Sequence, residues 1–251
     1  MLHVINYRKN KMTQTKPLTI SSVSKQFNTN HVLRNVSLSV KPGEIYGLIG
    51  VNGVGKTTLI KIILNLLRQD KGNVKFFGQD VSLKKSRQQL AYLPEKFHPS
   101  PFLKGKEFLS LTSSFYGKKL DLSVAKEKAQ ILGLDPHVLD YKISKYSKGM
   151  GQKLGLLSVF LVETPLLLLD EPMSGLDPRA RIQLKALLEE YKQQGNTVFF
   201  SSHILSDIEE ICDRMAVMHQ GKLTFEGSPT AFLKSQKEKN IEKAFLKAIS
   251  D

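Results

Sequence analysis

Gly50-Val51-Asn52-Gly53-Val54-Gly55-Lys56-Thr57 constrains this chain more than any other stretch. It fits G-x-x-x-x-G-K-[ST], directly after the buried-strand run Ile45-Tyr46-Gly47-Leu48-Ile49 and at the start of a helical pattern from Lys56 to Leu67. Glycines let the backbone turn so that successive N–H groups point at phosphate oxygens, and the helix start adds its positive end. Lys56 supplies a cation for the β- and γ-phosphates, and the Thr57 hydroxyl a ligand for Mg²⁺. A chance match is expected about once in a hundred chains of this length, given glycine at about 7% of residues, and the strand–helix context lowers that further. Asn52, Gly53, Val54, Gly55, Lys56, Thr57 and Thr58 are therefore candidate contacts for a nucleotide.

A second cluster follows the all-apolar run Leu166–Leu169, where Asp170 and Glu171 stand side by side before Pro172. Ligands of open α/β sheets bind outside the carboxyl ends of the strands. There, Asp170 suits Mg²⁺ and Glu171 suits the orientation or deprotonation of an attacking water. Alone, two acids capping a surface loop would explain the pair equally well; beside a phosphate loop, that is the poorer explanation.

The rest of the chain sorts around these motifs. Residues 1–16 are polar and basic and read as a disordered lead-in, with Met12 an alternative start. From Pro17 the pattern alternates (Leu18, Ile20, Val23, then Val32 to Val40), with Lys71-Gly72-Asn73 a turn leading into Val74–Phe77. The stretch 96–152 holds amphipathic segments broken by prolines and reads as an inserted helical subdomain. Later come a helix Pro178–Gln194, a strand Thr197–Ser201, a helix Ile204–Asp213 and a final strand Met215–Met218. Apolar strands alternating with helices imply a mainly parallel sheet covered on both faces. The expected organisation is one α/β domain over 17–233 and a C-terminal helix within 234–251. The single cysteine, Cys212, precludes an intramolecular disulfide. No apolar run reaches membrane-span length, the longest (Leu154–Leu169) being broken by Glu163 and Pro165. The formal net charge of +14 suits nucleic acid and an anionic membrane face equally.

Four further motifs complete an ordered set. Leu93-Pro94-Glu95 precedes Ser147-Lys148-Gly149-Met150, followed by Ser174-Gly175-Leu176-Asp177-Pro178 and Ser202-His203. Together with the two clusters above, they resemble the nucleotide-binding subunit of an ABC transporter over nearly the whole chain from Pro17, in the places of its Q-loop, signature loop, D-loop and switch histidine. The resemblance implies an α/β P-loop NTPase core with a mainly parallel sheet, an N-terminal antiparallel β subdomain and the inserted α-helical subdomain.

It also implies roles. In the family, two subunits pack head to tail and sandwich each ATP between one phosphate loop and the other subunit's signature loop. Ser147 and Gly149 would then meet the γ-phosphate bound across the dimer, Asp177 would bridge the two sites, and His203 would sense the γ-phosphate. Phe27 would be the adenine platform, an ordinary strand-end packing role being the other reading. Thr57, Asp170 and Glu95 would serve Mg²⁺, and Glu171, His203 and Lys56 the hydrolysis. Three positions depart from the common pattern: Tyr146 replaces Leu, Lys148 replaces Gly, and Glu95 replaces the Q-loop Gln. With the short C-terminal helix Ile241–Ile249, they make the chain similar to the ABC-2 exporter branch.

The resemblance implies ATP and Mg²⁺, a second ATPase subunit, and a separate membrane-spanning permease engaged through the loop Glu95–Leu103. Phe97, Phe102 and Leu103 would offer that permease apolar anchors, local packing being the other reading. Peripheral placement on the inner face of the cytoplasmic membrane follows, with no nucleic acid expected. The rival is a soluble ABC-type ATPase acting on nucleic acid or ribosomes, whose relatives usually carry two nucleotide domains or a coiled-coil insertion.

Overall fold

The computed structural model describes residues 15–250. The expected lead-in and the alternative start at Met12 therefore lie outside the described residues, apart from Thr15 and Lys16, whose ammonium donates to Ser39 Oγ at 3.1 Å.

Two sheets organise the chain. The first is antiparallel, in the order β2-β1-β4-β5, from β1 (Leu18–Phe27), β2 (Asn30–Val40), β4 (Lys71–Phe76) and β5 (Gln79–Asp80). The second has six strands in the order β10-β9-β3-β8-β7-β6: β3 (Ile45–Ile49), β6 (Leu90–Leu93), β7 (Leu166–Asp170), β8 (Thr197–Ser202), β9 (Arg214–His219) and β10 (Lys222–Gly227). All its neighbours pair in parallel except β9 and β10. The helices are α1 (Lys56–Ile63), α2 (Lys84–Arg87), α3 (Gly105–Phe115), α4 (Leu122–Ile131), α5 (Lys148–Leu161), α6 (Pro178–Gln193), α7 (Leu205–Ile211), α8 (Pro229–Gln236) and α9 (Ile241–Ser250).

Strands β3, β7 and β8 are buried along their whole length. Successive strand side chains point to opposite faces, so each of these strands serves two cores. Tyr46, Leu48, Leu166, Leu168 and Phe199 join α1 and the antiparallel sheet in one cluster. Ile45, Ile49, Leu167, Leu169, Val198 and Phe200 join α5, α6, α7 and α9 in the other. A continuous apolar run is what a strand buried on both faces requires.

The structure corrects the sequence expectations at several places. Strand β6 was not expected: four residues are too few to show a period, yet it pairs with β7 throughout and carries Glu95 to the sheet edge. Met215–Met218 is not the last strand, because Gln220 and Gly221, both at positive φ, turn the chain back into β10. Helix α1, expected to end by Leu67, stops at Ile63, since Asn65 takes φ 56 and the amides of Leu66 and Leu67 both return to Lys61 O. Residue 152 lies within α5 and residue 233 within α8.

Gly72, expected in a turn, lies inside β4 at φ +84, opposite a bulge in β1 where Ser22 has φ 52. A Cβ there would sit 2.3 Å from Ser21 O and 2.5 Å from Ser22 O, both rigid backbone. Gly72→Ala is expected to destabilise the fold by at least about 2 kcal/mol, the cost of a left-handed non-glycine residue with a backbone clash added. A denaturant midpoint unchanged from wild type would contradict this.

Candidate functional site

Four adjacent parallel strands deliver the motif loops to one edge. Strand β3 leads into the phosphate loop, β8 into His203, β7 into Asp170 and Glu171, and β6 into Glu95. Sequence-distant groups are thus brought together by strand spacing alone, at the carboxyl edge where α/β sheets bind ligands.

A cavity of about 320 Å³ opens there, lined by Val51, Asn52, Gly53, Gly55, Lys56, Thr57, Thr58, Glu95, Lys96, Asp170 and Glu171. Gly53 and Gly55 have φ +81 and +115, and a Cβ at Gly55 would come 2.9 Å from Val32 O. Only glycine takes that backbone freely, which is the physical reason for the residue at the helix entry. The Lys56 ammonium is buried, donates to Gly50 O at 2.6 Å and lies 3.5 Å from Glu171 Oε1.

Glu171 itself takes φ 50, a strained setting for a non-glycine residue. Its amide donates to Ser201 O at 3.2 Å and Ser201 Oγ at 3.1 Å, anchoring the turn to β8. Its Oε2 accepts the His203 backbone N–H at 3.2 Å and meets His203 Nδ1 at 2.7 Å. Its Oε1 is buried with no hydrogen-bond partner and faces only Lys56. One oxygen is therefore committed to the histidine, while the other is buried beside the Lys56 ammonium and makes no hydrogen bond.

Asp170 Oδ1 accepts from Ser201 Oγ. Burial raises the Asp170 carboxyl above its ordinary value, and the charges of Glu171 and Glu95 push the same way against the Ser201 bond and Lys56. Two adjacent buried carboxylates and the Thr57 hydroxyl at one cavity leave negative charge that a divalent cation would relieve. Mg²⁺ typically takes one or two carboxylates and leaves the rest of its shell to phosphates and water. The residues present fit such an ion. Ser201, which holds both Asp170 and the Glu171 amide, was missed by sequence reasoning; its signal was a hydroxyl directly after the apolar run Val198–Phe200.

The remaining expected residues lie outside this cavity. Ser147 caps α5, its Oγ accepting from Met150 N at 3.2 Å, and Gly149 sits in the first turn close to Gly175. Asp177 caps α6, accepting from Ala180 N at 2.9 Å; that bond, with the Lys153 ammonium at 3.2 Å, lowers its carboxyl below the ordinary value. Phe27 is 44% exposed, with the Lys25 ammonium 5.3 Å from its ring centroid. Ser147, Lys148, Gly151 and Gln152 line a separate groove of about 760 Å³ with Phe97, Pro99 and Pro101. Glu95 and Lys96 border both spaces.

Two of the departures have structural counterparts. The Tyr146 hydroxyl donates to Val138 O at 2.6 Å and packs over Gly105, a contact that a leucine cannot make. The Lys148 stem lies along Gly175. Among the apolar residues of the loop 95–103, Phe97 packs edge-on against Phe108 and covers Gly155, and Leu103 joins the core, so local packing accounts for both. Phe102 is 82% exposed.

Residues 33–174 match the family model described as ABC transporter. An uncharacterised ABC transporter ATP-binding protein of Synechocystis sp. is 39% identical over 78% of this chain. The chain spans 56% of that relative's length. The Nod factor export ATP-binding protein I of Burkholderia orbicola is 31% identical over 88% of this chain and 73% of its own. A solved structure described as the ATP-binding subunit of an ABC transporter superposes with a TM-score of 0.84 at 29% identity, covering 92% of this chain and 98% of that one. By motif order, fold, edge geometry and these likenesses, the chain belongs to the ABC transporter family, and it carries that family's ATP-binding domain.

Proposed function

We propose that this chain hydrolyses ATP as a dimer and drives export through a separate membrane-spanning subunit, on the cytoplasmic face of the membrane. The observation that carries the chemistry is the convergence of Lys56, Thr57, Asp170 and Glu171 on one cavity, with His203 bonded to Glu171. Lys56 and the phosphate-loop amides hold the triphosphate. Thr57, Asp170 and Glu95 hold Mg²⁺, which when bound neutralises charge on the phosphates. Glu171 Oε1 takes the proton of the attacking water, and His203, fixed on Oε2, contacts the γ-phosphate.

The dimer reading is supported by where Ser147, Gly149 and Asp177 lie. They are at helix starts, away from their own chain's phosphate cavity, and a helix N-terminus with a small hydroxyl and a bare glycine suits an anion presented by a second copy. Phe27, exposed at the end of β1, serves adenine. The Glu171→Gln variant is expected to elute as a dimer with MgATP and as a monomer without it, and adding Ser147→Arg should abolish the dimer. Monomer under all conditions for Glu171→Gln would remove the dimer reading.

Export rather than import is supported by the Nod factor export relative and by the features shared with the ABC-2 branch. Exposed Phe102 beside the 760 Å³ groove suits the permease contact. Among the described residues no helix is long and apolar enough to cross a membrane, so a permease would be a separate segment or chain. The deciding experiment is affinity purification of the tagged protein from detergent-solubilised membranes. A stoichiometric multi-spanning partner supports the proposal. Ribosomal or nucleic-acid material without such a partner would favour the rival suggested by the +14 charge.

A further inference from the structure

Asp207 is a charged side chain that the proposed chemistry does not use. It lies in the first turn of α7, four residues after His203, and its side chain is only 4% exposed. Its Oδ2 accepts from Arg181 Nη2 at 3.1 Å and its Oδ1 meets Lys185 Nζ at 3.0 Å. Both cations belong to α6, and Arg181 stands one turn after the cap Asp177, its amide donating to Asp177 O at 3.0 Å.

These contacts close a circuit around the hydrolytic edge. Glu171 holds His203 at 2.7 Å. Four residues on, Asp207 holds Arg181, and four residues back along α6 stands Asp177. The loop from Asp177 back to Glu171 is closed by Leu176 N to Met173 O at 3.3 Å and Ser174 N to Glu171 O at 3.0 Å. The links are hydrogen bonds, one turn of α6, and the short run of chain from His203 through the extended N-cap Ile204 into the first turn of α7, so the tie at Asp207 fixes the start of α7 two residues after His203.

Stability does not explain the choice of residues. A buried ion pair commonly gives no more stability than a well-packed apolar replacement, because desolvation offsets the attraction. Here the arrangement is also incomplete, since Arg181 Nε is buried without a partner. What charges provide and apolar packing does not is a directional tie between two specific atoms on two helices.

We propose that Asp207 is a positioning residue that couples the loop Ser174–Pro178 to His203, so that contact with that loop sets the placement of the histidine on Glu171. The inference rests on the hydrolytic reading above for its catalytic consequence. It predicts that loss of the tie acts on turnover rather than on nucleotide affinity.

The test compares Asp207→Asn, Asp207→Glu and the double variant Asp207→Leu/Arg181→Met with wild type. Asp207→Asn should lower kcat about tenfold, the scale expected when a reacting group is slightly misplaced, with KM for ATP within about twofold. Asp207→Glu should recover part of kcat. The double variant removes Asp207 and Arg181 and leaves Lys185 paired with Glu210, so its thermal midpoint should return toward wild type while kcat stays low. A double variant with wild-type kcat, or kcat losses that follow the loss in thermal midpoint across the series, would overturn the proposal.

A second readout needs no turnover. In protein labelled with ¹⁵N-histidine, the His203 ring resonance, assigned by its loss in His203→Gln, should move in Asp207→Asn toward its position in Glu171→Gln. An unmoved resonance would overturn the tie. Failure of the wild type to hydrolyse ATP would instead remove the hydrolytic reading and leave the tie to be decided by this measurement.

Discussion

Glu171→Gln is expected to lower ATP turnover by about three orders of magnitude, within the range attributed to a positioned general base, while leaving MgATP binding nearly intact. The geometry explains the selectivity. Of the two carboxylate oxygens, Oε2 is held by the backbone and ring of His203, and Oε1 is buried against Lys56 with no hydrogen bond of its own. A carboxamide has nearly the same volume and keeps one carbonyl oxygen to accept from the His203 amide. It cannot take a proton from water at the other position. The turn around it is anchored by the backbone bonds to Ser201, which the substitution leaves in place. The phosphate-loop amides and Lys56 are likewise unchanged, so the affinity determinants survive. Steady-state hydrolysis and fluorescent-nucleotide binding, measured on the same preparation, separate the two quantities. Hydrolysis at the wild-type rate would end the general-base assignment, and joint loss of hydrolysis and binding would mean the substitution had disturbed the loop instead.

How far the sequence reading reached depended on how local the relevant physics was. The phosphate loop is specified by glycines whose left-handed φ values no other residue adopts freely, so its pattern is written in adjacent residues. Strands β3 and β7 showed as apolar runs because both faces are buried, β8 showed as the apolar centre Val198–Phe200, and their ends located Asp170, Glu171 and His203 at one edge. Strand β6 was invisible because four residues carry no period, whereas β10 does alternate, Lys-Leu-Thr-Phe-Glu-Gly, after the turn residues Gln220 and Gly221, a hairpin signal that was passed over. Gly72 looked like a turn because glycine signals positive φ without saying whether a bulged sheet or a loop requires it. Neither the packing of Phe97 over Gly155 nor the role of Ser201 could be read from neighbours in sequence. Both depend on partners 58 and 31 residues away that only the fold brings near.

Lys56→Ala is expected to lower MgATP affinity at least about a hundredfold, the equivalent of roughly 3 kcal/mol for removing one partner of a buried charged contact. The ammonium is 6% exposed, held by Gly50 O at 2.6 Å, and aimed at the cavity beside Glu171. Its removal withdraws the one positive side chain of the loop from the phosphates and strands the Glu171 carboxylate, buried, without its cation. The second effect confuses the first, because an uncompensated buried carboxylate would repel a triphosphate even if Lys56 made no contact with it. The double variant Lys56→Ala/Glu171→Gln separates them. If direct contact with phosphate is what Lys56 supplies, the double variant binds as weakly as the single one. If Lys56 serves only to neutralise Glu171, affinity returns once the carboxylate is gone. Ligand-induced stabilisation reports the outcome without hydrolysis: at a hundred times the wild-type Kd, MgATP should stabilise the wild-type fold by about 2.7 kcal/mol. Lys56→Ala should show no more than about 0.4 kcal/mol of that increment at the same concentration, and the double variant the same if the contact with phosphate is direct. A full increment in the single variant would remove Lys56 from the nucleotide site.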